Sequence, residues 1–263
     1  MRIGLENKER EIDKTIELLL KFKEGNLSDL LVQLLKKGVS SSDILFIILE
    51  NLEREGVVSG KRGTIKVVGK VGEEMKERIK KNVGNRLARI KKVFLTPLEI
   101  SKFYLCPRRL WLEKVVLAKQ EKEERGRVWD GEAVHFAARL LFESLPKYNC
   151  EEILKRVYEK YENKLTLEKD KLSAFLENLV NFVKEEEIEK IFAEKTIESL
   201  KLGLIGTPDA IAIKSDEIFP IDIKLGRAEK LRKEHMLQSV GEALLVQSYF
   251  RKNIEKGLSL IHI

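Results

Sequence analysis

Along the first part of the chain, apolar residues recur three and four apart, the spacing that gives a helix one buried face. Ile12, Ile16, Leu19 and Leu20 predict a first helix over 8–24, stopped by Gly25. Residues 27–37 (LSDLLVQLLKK) predict a second helix closed by Gly38. Residues 40–55 predict a third, with serines at its start and Gly56 at its end. The pattern then turns β-branched: VVSGKRGTIKVVG reads as two strands joined by a Gly-Lys-Arg-Gly turn. Three helices followed by a hairpin predict a winged-helix-like module. With a further helix over 72–92, it makes a first domain over 1–92.

A second domain is expected over 93–263. Thr96 can cap a helix that has Pro97 at its first position and Glu99 three residues after the cap. An apolar-faced helix carrying His135 follows (WDGEAVHFAARLLFESL), then two polar helices over 151–163 and 169–190. Next comes a strand-rich stretch: FAEKTIESLKL, GLIGTPDAIAI and, after a KSDE turn, IFPIDIKL. A helix over 229–252 and the strand-like run GLSLIHI complete the pattern, which is of the α/β class.

Composition narrows the setting. Of 263 residues, 43% are hydrophobic, enough for a core, and 35% are charged. No apolar run approaches the roughly 18 residues of a membrane span, so no membrane association is expected. Two cysteines, Cys106 and Cys150, are too few for a disulfide framework and fit a reducing, cytoplasmic compartment. The net charge of +7 is unevenly placed. Residues 61–92 hold twelve basic and three acidic side chains, whereas residues 1–60 hold nine and eleven. Such a cationic stretch suits a polyanion, nucleic acid first, or a solvated Lys-rich helix face. Lys61 and Arg62, at the tip of the predicted wing, either contact DNA phosphates or lie on a wing that packs against protein.

Candidate chemistry lies in the strands. Strict alternation in FPIDIKLG puts Asp222 and Lys224 on one face, with Ile221, Ile223 and Leu225 on the other. Asp209, in GTPDAIAI, is also set among apolar residues. The KSDE turn between the two segments makes an antiparallel hairpin, in which Asp209 and Asp222 can approach each other. Two such carboxylates repel unless compensated, and a hard divalent cation, Mg or Mn, is the natural compensation. Lys224 would then stand beside the reacting phosphate. Taken singly, each acid is also explained as a turn former or a salt-bridge partner.

The ordered set of His135 in GEAVH, Asp209 in GLIGTPD, Asp222 and Lys224 in IDIK, and Gln238 in HMLQ resembles the RecB-like PD-(D/E)XK nucleases. YLCPRRLW and GEAVH look most like the CRISPR-associated branch, which takes part in spacer acquisition. The resemblance covers residues 95–263 and implies a restriction-endonuclease-like α/β core with the helical, winged-helix-like extension before it. It implies that His135, Asp209 and Asp222 hold Mg or Mn, with the backbone carbonyl of Ile223 as a further ligand. It also implies that Lys224 is catalytic and that Gln238 engages DNA. Glu194, at the start of the strand before Gly203, is a supporting acid in this reading. Glu242 stands where the family's tyrosine is expected. The family commonly holds an iron–sulfur cluster on four cysteines, and Cys106 matches the first. No cysteine follows Cys150, so a cluster would need ligands beyond Ile263, in a longer protein.

The expected activity is therefore metal-dependent hydrolysis of DNA phosphodiester bonds, on single-stranded ends, with the CRISPR integrase as partner. Two other readings stay open. One is a winged-helix DNA-binding regulator with an inert nuclease-like domain; the other is a nuclease of the same fold acting in repair or restriction.

Overall fold

The computed structural model describes residues 5–61, 63–88, 94–114, 126–226 and 232–262. Two compact units emerge, and neither is a single stretch of chain. The first takes residues 1–96, 196–206 and 247–253; the second takes 97–195, 207–246 and 254–263.

The first unit opens with α1 (Leu5–Phe22), β1 (Glu24–Asn26), α2 (Leu27–Lys36) and α3 (Ser42–Arg54). It continues with β2 (Val58–Lys61), β3 (Thr64–Val67) and α4 (Glu73–Ala88). The apolar stripes read from the sequence form its core, with Ile16, Leu19, Leu30, Leu34, Leu45 and Ile48 buried. Each such side chain contributes roughly 1.5–3 kcal/mol by leaving water. The predicted hairpin is present, with Lys61 paired to Thr64 and Gly63 at φ 82°, a left-handed turn position that suits glycine. Gly25 does more than stop a helix: it lies in β1, which pairs with β3 and completes a three-stranded sheet of order β1-β3-β2. Arg62 and the side chain of Lys61 lie outside the described residues.

The cationic charge of α4 is largely met within this unit. Lys80 pairs with Asp13, Arg78 with Glu55 and Arg86 with Glu50, each at 2.7 Å. Two later segments join the same unit. The short strands β5 (Ile197–Ser199) and β6 (Leu204–Gly206) pair antiparallel, and β5 carries Glu198, which forms a buried ion pair with Lys8. The Tyr249 hydroxyl donates to the Val39 carbonyl at 2.9 Å.

The second unit begins with α5 (Pro97–Leu105) and α6 (Pro107–Lys114), separated at Cys106. The helices α7 (Gly126–Ser144), α8 (Cys150–Tyr161) and α9 (Lys169–Glu185) follow. Its four-stranded sheet has the order β4-β7-β8-β9, built from β4 (Lys190–Ala193), β7 (Ala210–Lys214), β8 (Glu217–Leu225) and β9 (Leu258–His262). Neighbours are antiparallel except β8 and β9, which run parallel. Between them in sequence lies α10 (Lys233–Phe250).

Ala133 and Ala137, one turn apart on α7, are fully buried against the sheet residues Ala210, Ala212 and Ile221. Their small side chains let the helix backbone approach the strands closely. α9 adds Leu172, Leu176 and Leu179 to the same core. At Gly241 a Cβ would meet the Pro97 Cβ at 3.0 Å, so glycine there permits the close approach of α10 to α5. The sequence reading sets Glu194 at the start of the strand before Gly203. The structure breaks it at Glu194, whose φ is 44°, so Glu194 sits in the turn after β4 and does not begin a strand.

Candidate active site

The sheet brings a row of polar side chains to one level across its four strands. Ala210 pairs with Ile221, so the next position outward sets Asp209 opposite Asp222. Ala193 pairs with Ala210, which sets Glu194 opposite Asp209, and the Glu194 N–H donates to the Asp209 carbonyl at 3.0 Å. On the other side Asp222 pairs with Ser259 of β9. The order across the sheet is therefore Glu194, Asp209, Asp222, Ser259, all within the second unit.

Two helices supply the remaining groups. His135 and Arg139 lie one turn apart on α7 and meet adjacent acids of the row. His135 Nδ1–H donates to Asp209 Oδ1 at 2.9 Å, and Arg139 pairs with Glu194 at 2.9 Å. A carboxylate can only accept, so Asp209 fixes the proton on Nδ1 and leaves Nε2 with a free lone pair when the ring is neutral. The same hydrogen bond raises the His135 pKa above the usual imidazole value, against the opposing effect of burial. The second oxygen of Asp209 accepts the Ile223 N–H at 2.6 Å.

On α10, Gln238 and Glu242 are also one turn apart. The Gln238 amide nitrogen donates to Asp222 Oδ1 and to Glu242 Oε1, both at 3.0 Å, while its oxygen accepts from Lys224 Nζ at 3.0 Å. Lys224 Nζ also lies 2.8 Å from Asp222 Oδ1, and Ser259 donates to Asp222 Oδ2 at 3.3 Å. Asp222 is only 2% exposed, and burial raises its carboxyl pKa although Lys224 pulls the other way. Burial pushes Glu242 up to about 8.

The structure thus brings together His135, Asp209, Asp222, Ile223, Lys224 and Gln238. Ile223 enters through its N–H. Arg139 and Ser259 escaped sequence reading. The four-residue spacing from His135 was a signal for Arg139, whereas Ser259 becomes visible only through the register of β9.

Hard carboxylate oxygens beside an imidazole nitrogen are a chemically suitable donor set for Mg or Mn. In the arrangement described, these groups bond to one another. Among the described residues no three His, Cys, Asp or Glu side chains converge on a metal position. Cys106 is exposed at the break between α5 and α6, and Cys150 is the first residue of α8, after its N-cap Asn149. Two thiols do not fit an iron–sulfur cluster that needs four ligands.

No curated protein matches the chain. The family model described as the PD-(D/E)XK nuclease superfamily matches residues 95–250, more than half of the sequence. That match spans His135, Asp209, Asp222, Lys224 and Gln238. With one acid just before β7, a second on the neighbouring strand β8 and a lysine two residues after the second, the chain belongs to the PD-(D/E)XK nuclease superfamily.

Proposed function

We propose that this chain is a metal-dependent deoxyribonuclease that hydrolyses phosphodiester bonds at single-stranded DNA ends. The observation that carries this reading is the adjacency of Asp209 and Asp222, joined to His135 on one side and Lys224 on the other. Nucleases of the superfamily generally use Mg or Mn. Asp209, Asp222, His135 Nε2 and the Ile223 carbonyl would hold such an ion, which supplies Lewis acidity and charge neutralisation at the phosphate when bound. Lys224 presents a cation to the phosphate oxygens as negative charge builds there, and burial of the site strengthens that interaction. Gln238, bonded to both Asp222 and Lys224, holds the two at fixed separation, and in this reading it also engages the DNA strand.

The order helix, strand, helix, helix, strand, strand in residues 5–67, with β3 central, supports reading the first unit as winged-helix-like. In our reading it delivers DNA to the nuclease. The likeness of YLCPRRLW and GEAVH to the CRISPR-associated branch supports a role in spacer acquisition beside the integrase.

The test is to incubate end-labelled single-stranded DNA with Mn and compare the wild type with Asp222→Ala. Cleavage that needs Mn and disappears in the variant supports the reading. Wild-type protein that binds DNA in a salt-sensitive way without cutting it refutes the reading and favours a regulator.

A further inference from the structure

The pair of helices α5 and α6 holds a set of side chains that the nuclease reading leaves without a task. Phe103 and Tyr104 are each 56% exposed and Trp111 is 54% exposed, with Leu105 and Leu112 exposed beside them. Among the described residues none of these three rings stacks on another ring. A face that leaves three large rings in water is one that a ligand or partner covers. The charge between the rings is positive: residues 97–114 hold four basic and two acidic side chains. One of those acids, Glu113, is taken up by Lys102 at 2.7 Å and by Arg109 at 2.9 Å. Arg108 is exposed and has no ion-pair or hydrogen-bond partner among the described residues. It precedes Trp111 by three positions, so guanidinium and indole share one side of α6. The pair is rooted beside the site, because Pro97, the first residue of α5, packs against Gly241 of α10, within one turn of Gln238.

We propose that α5 and α6 form a stacking platform for single-stranded DNA, on which Phe103, Tyr104 and Trp111 take base faces and Arg108 takes a phosphate. This deepens the reading of the chain as an enzyme of single-stranded DNA and rests on it. Every base has a flat π-face, so stacking on exposed rings tolerates any sequence, while cations between the rings hold the backbone. A duplex covers its base faces with one another, so the same rings select single strands. A strand lying along α5 toward Pro97 is led over roughly 10 Å of helix from Tyr104 to α10. There it meets the helix that carries Gln238, the partner of Asp222 and Lys224. A protein face would cover the same rings, but the positive excess and the unpaired Arg108 favour a polyanion.

The test reads the emission of Trp111 in the full chain. The sequence has two tryptophans, and Trp129→Phe leaves Trp111 as the sole emitter while keeping a ring against Tyr161. This protein is titrated in EDTA, so that no strand is cut, with oligothymidylate and with an abasic oligomer of the same length and charge. We expect oligothymidylate to quench Trp111 and the abasic oligomer to bind at least tenfold more weakly. In the wild-type background, Trp111→Ala should weaken binding of labelled oligothymidylate about tenfold by anisotropy, with Trp111→Phe recovering most of it. An unchanged melting temperature verifies that each variant folds. Equal affinity for the two oligomers, or binding that leaves Trp111 emission unmoved, overturns the platform, because phosphates alone then hold the strand. Absence of binding to either oligomer overturns it too and gives the face to a protein partner. Cleavage in Mn, measured on the wild type separately, decides the nuclease reading whichever way the binding falls.

Discussion

Replacing Glu242 with glutamine is expected to raise stability by an amount that grows with pH. Burial lifts the Glu242 carboxyl from 4.5 to about 8. The folded state then binds a proton that the unfolded state releases between these values. Stability is fully present below pH 4.5 and is lost as pH rises through about 8. For metal-free protein, linkage puts the loss at about 1 kcal/mol at pH 5, about 3 at pH 7 and about 5 above pH 9. Glutamine mimics the protonated acid, keeps the bond to Gln238 and does not titrate. The measurement is thermal unfolding of both proteins in EDTA. Between pH 5.5 and 8.5 the gap should widen by about 3 kcal/mol, or roughly 6–12 °C for a chain of this size. A gap of the same width at both pH values would refute the argument, because Glu242 would then ionise freely in the fold.

Asp209→Asn removes the carboxylate charge that holds up the His135 pKa, so the imidazole should titrate at lower pH, as followed by NMR of the ring protons. In the same variant we expect nuclease activity to fall by about three orders of magnitude, on the scale of lost transition-state electrostatics. Lys8→Met leaves Glu198 buried and unpaired, and denaturant unfolding should show a loss of roughly 3–5 kcal/mol. Because burial raises Glu198 in the folded state, stability falls with rising pH even in the wild type, and Lys8→Met should steepen that fall.

The parts of the fold legible in sequence are those whose signal is local. The stripes of α1 to α3 repeat within one helix, and the KSDE turn folds two neighbouring runs back on each other. β7 and β8 follow, with Asp209 and Asp222 opposed. By contrast, β1 is three residues, EGN, with no periodicity of its own; it exists because β3 offers an unpaired edge. Proximity in sequence predicts that residues 196–206 belong with the nuclease strands. They join the first unit because Glu198 meets Lys8, a contact 190 residues distant.

The same distinction divides the site. Asp222 and Lys224 share a face because strand geometry alternates every residue, so IDIK suffices to place them together. The lysine's second contact, Gln238, and the acid beyond it depend on how α10 docks on β8. That docking is controlled by features with no periodicity, such as Gly241, which leaves room for Pro97. A larger residue at 241 would push α10 away from α5 and carry Gln238 and Glu242 with it. The chemistry-bearing strand can therefore be read from four residues, whereas the helix that tunes it is positioned by a glycine bearing no chemistry. In this sequence, departure from the expected tyrosine at 242 was visible at once, and its consequence was not. That consequence depends on a buried oxygen without a partner, which only packing reveals.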